Sequence, residues 1–255
     1  MTARVFSLCI GVVALALGGA QQFQPGNPRP AFETVQIKTT GLGNQTYMLE
    51  GEGANMVVAV GTDGIIMVDT EFAELNDKIK AAIAAISDRP VRYVILTHFH
   101  RDHTGGNEFF ARAGATLVAH EAVKNRLASG TTNGLTGNVL PPYPEIALPK
   151  QTYREAGLTI RHGGRIAEVK HVTAHTDGDS YVYFRDANVL ATGDIVTFGR
   201  YPNIDVPYGG GIDRMIAGVD AILEIGNDNT KFVPGHGPLG TRERVIEYRR
   251  VLVEA

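Results

Sequence analysis

The sequence is first informative in what it lacks. Its 255 residues include no tryptophan and a single cysteine, Cys9, which lies in an apolar N-terminal segment. A chain that loses this segment has no thiol, which excludes both disulfide bonds and thiolate metal ligands. Aromatic residues make up only 7% of the chain, and the net charge is −3. We therefore expect no nucleic-acid partner, because such partners require basic surfaces and stacking aromatic rings.

The N-terminus has the three parts of a secretory signal. Arg4 precedes an uncharged apolar run over residues 5–20, and small residues at 18–20 (GGA) lead into the polar QQFQPGNPRP. This layout predicts a signal peptide over 1–20, a polar lead-in over 21–31 and a periplasmic or secreted protein. A retained membrane anchor is the alternative. A run of about 16 residues is short for a bilayer, so we expect no stable membrane insertion after cleavage.

Strand-like and helix-like patterns alternate over residues 32–255. TVQIKTT, QTYMLE, NMVVAV and GIIMVD are short runs rich in β-branched residues, separated by Gly, Asn or Asp, and they predict strands. AELNDKIKAAIAAIS then repeats apolar residues at helical spacing. Strands and helices alternate from there to the end of the chain. This order predicts a single α/β (α+β) domain, with two mixed sheets carrying helices on their outer faces.

The stretch THFHRDHTGG, residues 97–106, concentrates ligand-type side chains after the apolar run VRYVIL. His98, His100, Asp102 and His103 occupy four of six consecutive positions. With no thiol available, imidazole nitrogens and carboxylate oxygens are the only strong zinc ligands in the chain. A helix cap or polar loop explains one such histidine but not four residues of this kind. The spacing indicates a metal site, for one metal or for two adjacent ones.

Three distant residues are candidates to complete this site. His175 in VTAHTDGDS, Asp194 in VLATGDIV and His236 in FVPGHGP each follow an apolar run and stand beside Gly, Pro or Thr. Each taken alone is also compatible with an ordinary turn. Together with the histidine cluster they form a ligand set.

THFHRDHTGG, AHTDGD, ATGDIV and PGHGP, in this order, resemble the metallo-β-lactamase superfamily over nearly all of residues 32–255. The resemblance implies a four-layer αβ/βα sandwich with a metal site at one edge, between the two sheets. By position it implies a first metal held by His98, His100 and His175, a second held by Asp102, His103 and His236, and Asp194 as a bridge. Asp69 in GIIMVDT matches an acid beneath the metal loop that orients a ligand; a turn or helix cap is the alternative.

The resemblance also implies an activity, that of an exported hydrolase with two zinc ions per chain. Two neighbouring metals lower the pKa of a shared water, whose hydroxide attacks a carbonyl C–N, C–O or C–S bond of a small molecule. Asp102 would orient this nucleophile. We expect a β-lactamase or a β-lactamase-like hydrolase, with a lactonase or thioesterase of the same fold as the alternative. An iron-dependent oxidoreductase and a non-catalytic periplasmic accessory protein also stay open.

The chain departs from the lactamases of the cysteine-ligand subclass at two positions. Asp194 stands where they carry the cysteine, and Thr197 stands where they carry a lysine that binds the substrate carboxylate. We expect Arg200 or Tyr201 to replace that lysine as a substrate contact. The loops at 129–149 and 199–211 are long and rich in Gly and Pro, and we expect them to rim the metal site.

Overall fold

The computed structural model describes residues 32–132, 137 and 139–255, so the predicted signal peptide and lead-in lie outside the described residues. Within the described part, no helix is both long enough and apolar enough to cross a membrane. The two large sheets contain twelve strands. They are β1 (Lys38–Gly43), β2 (Thr46–Glu50), β3 (Asn55–Val60), β4 (Ile65–Val68), β5 (Val91–Ile95), β6 (Thr116–His120), β9 (Gln151–Tyr153), β10 (Leu158–His162), β11 (Arg165–His171), β12 (Ser180–Phe184), β13 (Val189–Ala191) and β14 (Lys231–Val233).

The first sheet has the strand order β1-β2-β3-β4-β5-β6-β9. Its first four strands form an antiparallel meander, whereas β4, β5, β6 and β9 run parallel. Parallel neighbours need crossover connections, which are usually helical. Here the crossovers contain α1 (Asn76–Ile86), α2 (Arg101–Thr104), α3 (Asn107–Arg112) and α4 (Glu121–Ser129). A short hairpin of β7 (Thr131–Thr132) and β8 (Val139–Leu140) follows α4.

The second sheet has the order β10-β11-β12-β13-β14. Four antiparallel strands are followed by a parallel pair, β13 and β14. The connection within this pair contains α5 (Ile212–Ile225), and α6 (Arg242–Glu254) follows the last strand.

Three hydrophobic clusters show how these elements are layered. The central cluster joins the inner faces of both sheets, for example Val57 and Ile95 of the first to Val182 and Phe184 of the second. A second cluster packs the outer face of the first sheet on α1, α3 and α4. A third packs the outer face of the second sheet on α5 and α6. The predicted four-layer αβ/βα arrangement is confirmed.

The structure corrects two details of the predicted element pattern. The strand predicted from TVQIKTT begins later, at Lys38, because Val35 and Ile37 pack on the helix-side core instead of pairing with a strand. The loop predicted over 129–149 contains the β7–β8 hairpin and a turn of 3-10 helix at Glu145–Ala147. The short strand β9 is not predicted from the sequence, because its three residues are too few to show an apolar pattern.

Candidate metal centre

The predicted ligands lie on the loops that follow four strands at one edge of the two sheets. His98 and His100 follow β5, His175 follows β11, Asp194 follows β13 and His236 follows β14. His100 ends the extended loop, and α2 begins at the next residue. Because the backbone changes direction here, the ligand atoms of Asp102 and His103 group with His236 rather than with the other histidines of the loop. The result is two clusters of ligand atoms, His98, His100, His175 and Asp194 in the first and Asp102, His103 and His236 in the second.

In the first cluster three ring nitrogens converge. Nδ1 of His100 lies 3.1 Å from Nε2 of His98 and 2.9 Å from Nε2 of His175. Oδ2 of Asp194 lies 3.7 Å from Nε2 of His175 and 4.0 Å from Nε2 of His98. A tetrahedral zinc with ligands at about 2.0–2.1 Å separates its ligand atoms by about 3.3 Å. The observed spacings bracket this value, so the four side chains fit one divalent cation.

The second cluster is built around the other oxygen of Asp194. Its Oδ1 lies 3.2 Å from Nε2 of His103 and 3.2 Å from Nε2 of His236. Oδ2 of Asp102 lies 3.2 Å from Nε2 of His236 and 3.8 Å from Nε2 of His103. Asp194 thus presents one oxygen to each cluster, an arrangement that would let one carboxylate bridge two metals.

Two buried atoms support this assignment independently of spacing. Nε2 of His103 and Oδ1 of Asp194 are fully enclosed and face each other at 3.2 Å, yet within the described residues neither makes a hydrogen bond of acceptable geometry. A buried polar atom without a partner costs about 1–3 kcal/mol of folding free energy. A cation between these atoms would remove that cost, so the donor set fits a metal in the second cluster as well.

The outer nitrogen of every histidine in the two clusters has its own partner. The contacts are His98 Nδ1 with the Thr97 hydroxyl (3.2 Å), His100 Nε2 with Asp205 Oδ2 (2.9 Å), His175 Nδ1 with the Asn203 carbonyl (2.7 Å), His103 Nδ1 with Asp69 Oδ2 (2.7 Å) and His236 Nδ1 with the Gly53 carbonyl (2.8 Å). Such contacts fix the ring and its tautomer, and they accompany nearly all metal-binding histidines. Each ring therefore turns its free nitrogen into its cluster.

Asp69 contacts the loop of the first cluster and a ligand of the second. Besides its contact with His103, it accepts hydrogen bonds at 2.7 Å from both the backbone N–H and the hydroxyl of Thr97. The carboxylate is buried and ties the His98 loop to His103. Asp69 does not cap a helix, because the 3-10 turn and helix that follow begin at Ala73 and Asn76. Its φ of 60° does give it the left-handed backbone typical of turns, so this conformation and the contact with His103 occur together.

The electrostatics differ between the clusters. Burial and the neighbouring imidazoles hold the pKa of His98 well below its ordinary value and lower the pKa of His175 to about 4. Both rings are therefore neutral at pH 7, as a metal ligand must be. Burial also acts to lower the pKa of His236, but Asp194 and Asp102 outweigh it and raise that pKa to about 9. The second cluster therefore favours a positive charge at its centre.

Sequence patterns did not point to two buried carboxylates close to the clusters. Asp205 contacts His100 from a loop 105 residues away, and the only signal was its place in the predicted rim at 199–211. Glu71 accepts hydrogen bonds from the backbone N–H groups of Gly53 and Phe72. Burial raises the pKa of Glu71 to about 7, against the opposing effect of these two bonds.

The structure does not bring the predicted substrate contacts to the ligand clusters. Arg200 and Tyr201 line a cavity of about 470 Å³ between their loop and α6, together with Arg244 and Tyr248, and none of the seven predicted ligands lines it. The cavity adjoins the second cluster through Thr197, which forms a β-bridge with His236, and through Phe198, whose N–H donates to the His236 carbonyl at 2.9 Å.

Tyrosines of the predicted rim occupy different places. Tyr208 packs edge-on against Phe99, at 5.2 Å between ring centroids, and Phe99 in turn contacts the His100 ring. The Tyr143 hydroxyl is 3.0 Å from that of Thr104 in α2. Tyr201 is 88% exposed. Tyr208 therefore supports the loop of the first cluster and Tyr143 supports α2, whereas Tyr201 faces solvent.

Comparison with known proteins agrees with this geometry. A family model described as the metallo-beta-lactamase superfamily matches residues 40–236. A linear primary-alkylsulfatase from Pseudomonas sp. is 26% identical over 76% of this chain, which spans only 43% of that protein. An acyl-coenzyme A thioesterase, MBLAC2, from Bos taurus is 26% identical over 81% of this chain and 82% of its own length.

Solved structures show the same fold. A metallo-beta-lactamase from Pontibacter korlensis superposes with a TM-score of 0.71 at 19% identity, over 86% of this chain and 100% of its own. The DIM-1 metallo-beta-lactamase superposes with a TM-score of 0.67 at 15% identity, over 86% and 99%. At these identities the likeness concerns the fold alone, but the family model covers most of the chain. The protein belongs to the metallo-β-lactamase superfamily.

Proposed function

We propose that the protein is a dinuclear zinc hydrolase that cleaves a carbonyl C–N, C–O or C–S bond of a small molecule. One observation carries this proposal: seven ligand-type side chains from distant segments form two clusters that share Asp194. Membership of a superfamily whose relatives include a thioesterase and a sulfatase supports hydrolysis as the reaction class.

In this proposal His98, His100 and His175 hold one zinc, Asp102, His103 and His236 hold the other, and Asp194 contacts both. Zinc ions in such a pair supply Lewis acidity that activates water and polarises a carbonyl group. Asp102 has the most exposed side chain of the seven ligands, at 24%. Its Oδ2 faces Nε2 of His236. Asp102 is therefore the group placed to orient an attacking water on the open side of the cluster.

Two substrate classes compete. Lactam hydrolysis is the activity that the sequence motifs suggested, and the structures similar in fold carry that name. Thioester hydrolysis is favoured by the bovine thioesterase, which matches this chain over 82% of its own length. Asp194 in place of a cysteine does not distinguish the two classes, because both need only the metal pair.

A substrate panel tests the proposal. We expect the zinc-loaded protein to hydrolyse at least one of a chromogenic cephalosporin, a lactone and an acyl thioester, with activity lost in EDTA and restored by zinc. Turnover of the thioester alone would assign the second substrate class. No turnover of any of the three by fully metal-loaded protein would contradict the hydrolase proposal and favour an accessory role.

Metal identity separates the proposal from an iron-dependent oxidoreductase. The donor set consists of imidazole and carboxylate groups, which suit zinc and iron alike. Elemental analysis of protein purified without chelators or added metal should find zinc; iron as the dominant metal would contradict the proposal.

We also propose that the protein is exported to the periplasm or beyond, on the basis of the N-terminal sequence alone. N-terminal sequencing of protein from the native host should find a chain that begins near Gln21. An intact N-terminus at Met1 would contradict export by this signal.

A further inference from the structure

Glu71 is a buried acid for which the ligand set provides no role. Its residue is fully buried, and its backbone adopts the left-handed conformation, with φ at 59°. Asp69, two residues earlier, shares that conformation with φ at 60°. Left-handed backbone is unfavourable for residues other than glycine and persists where the surroundings fix it. The segment that contains both acids lies directly beneath the second cluster.

Glu71 holds the tight turn between β2 and β3, residues 51–54. Its Oε1 accepts the N–H of Gly53, and its Oε2 accepts the N–H of Phe72 at 2.5 Å. The Gly53 carbonyl, on the other side of the same residue, accepts the hydrogen bond from Nδ1 of His236 at 2.8 Å. A continuous chain of hydrogen bonds therefore runs from Glu71 through Gly53 to a ligand of the second cluster.

The same turn also contacts Asp102. A Cβ atom on Gly53 would lie 2.7 Å from Cβ of Asp102 and 2.8 Å from Cε2 of Phe72, so the backbone of the turn packs directly on that ligand. Asn55, at the end of the turn, bonds to the carbonyls of Pro234 and Gly237 on either side of His236. The turn thus sets the positions of two of the three side chains in the second cluster.

From these contacts we infer that Glu71 is a positioning residue for the second metal: it fixes the turn that orients His236 and packs on Asp102. The inference rests on the dinuclear site of the proposed function. The first cluster does not depend on the hydrogen bonds of Glu71, because its histidines take their outer contacts from Thr97, Asp205 and Asn203. Loss of Glu71 should therefore weaken one metal site and spare the other.

The test is a competitive zinc titration of the full chain and of three variants, with a chromophoric chelator that resolves two binding steps. Removal of an outer partner of a metal ligand typically weakens metal binding 10- to 100-fold. We expect Glu71→Ala to weaken the second zinc by about this factor and to change the first by less than about twofold. Glu71→Gln keeps one of the two acceptor oxygens, so its affinity for the second zinc should lie between those of the parent and of Glu71→Ala. Glu52→Gln, at an exposed acid of the same turn, is the matched control and should bind like the parent.

A fourth variant and a second signal guard against misfolding. Gly53→Ala keeps Glu71 but displaces the turn, so it should also weaken only the second zinc. In the zinc-loaded protein the Nδ1–H proton of His236 should exchange with water faster in Glu71→Gln than in the parent, as NMR would show. A merely structural role for Glu71 would lower both zinc affinities equally and leave this exchange unchanged.

Wild-type affinity for both metals in Glu71→Ala, Glu71→Gln and Gly53→Ala would overturn the inference, as would equal weakening of both. These outcomes leave the proposed function intact. A parent protein that saturates with one zinc would instead overturn the dinuclear site, and the inference with it.

Discussion

At the scale of single residues, the histidines of the metal centre divide their two ring nitrogens between the fold and the ligand cluster. His100 bonds Asp205 through Nε2 and faces His98 and His175 through Nδ1. His103 bonds Asp69 through Nδ1 and leaves Nε2 towards Asp194. Because the outer contacts come from the protein, the ligand atoms are placed before any metal arrives. Preorganisation of this kind lowers the entropic cost of ordering the side chains when a metal binds.

Alanine at His100 or His175 removes one nitrogen from the convergence point of the first cluster. We expect turnover to fall at least about 1,000-fold, with the far-ultraviolet circular dichroism unchanged, because the two sheets and their helices supply the core. His162→Ala is the matched control, since His162 lies at the end of β10 beside Asp63 and outside both clusters. Full activity in either His100→Ala or His175→Ala would show that the ligand assignment is wrong.

Arg200 gives a prediction about substrate binding. If it anchors a substrate carboxylate, Arg200→Ala should raise KM about tenfold with little change in kcat, because a remote anchor binds substrate and transition state alike. Arg249→Ala, at an exposed pair with Asp220, serves as the control. An unchanged KM would agree with the position of Arg200 on the α6 side and would remove it from the substrate site.

The ligand residues were predictable from sequence because they are chemically distinctive and four of them fall within six positions. The contacts that orient them were not. Asp205 and Gly53 approach their histidines from 105 and 183 residues away, and nothing in NIDVP or GEGA distinguishes these residues from ordinary turns. Their roles depend on which loops the fold brings together, which is a property of the tertiary structure.

At the scale of elements, a buried arginine joins the two sheets through hydrogen bonds rather than through apolar contacts. Arg165 begins β11 in the second sheet, and its guanidinium donates to the Asn44 carbonyl and the Thr46 hydroxyl at 2.6 Å each. Both partners lie at the β1–β2 turn of the first sheet. A salt bridge to Asp186 at 3.0 Å completes the cluster. The arginine therefore connects the second sheet to the β1–β2 turn of the first.

Arg165→Ala should destabilise the fold by about 2–3 kcal/mol, since it removes a buried guanidinium and leaves the Asn44 carbonyl and the Thr46 hydroxyl without their donor. Arg185→Ala is the matched control: Arg185 pairs with Glu168 on the surface, and such pairs contribute about 0–1 kcal/mol. Urea unfolding of both variants gives the comparison. Equal effects would contradict a special role for Arg165.

Element prediction worked where the hydrophobic pattern is long. The strands β2, β3 and β4 and the helices α1 and α5 follow from alternation or helical spacing, since a period must repeat to be visible. Strands of two or three residues, such as β7, β8 and β9, are too short for the two-residue alternation to repeat. Their pairing is set by neighbours already in the sheet rather than by their own side chains.

At the scale of the whole molecule, the candidate metal centre joins the two sheets at their shared edge. Four of its residues follow β5 of the first sheet, and three follow strands of the second. A metal bound to both sets links the two halves of the sandwich. Ligands that bind only the folded state stabilise it by mass action.

Metal removal should therefore lower Tm. A stabilisation of about 4 kcal/mol, which corresponds to metal at 1,000 times its Kd, translates into about 10 °C for a domain of this size. Differential scanning calorimetry with and without EDTA measures the shift, and a His98→Ala/His236→Ala double variant should show no EDTA response. An EDTA shift as large in that variant as in the parent would mean that the chelator acts elsewhere.

Anomalous diffraction at the zinc absorption edge would show whether one edge of the sandwich holds two zinc ions bridged by Asp194. Crystals of protein purified without chelators should show two anomalous peaks per chain. One should lie among His98, His100 and His175, and the other among Asp102, His103 and His236. A single peak, peaks at other residues, or a signal that appears at the iron edge instead would contradict the proposed pair of zinc ions.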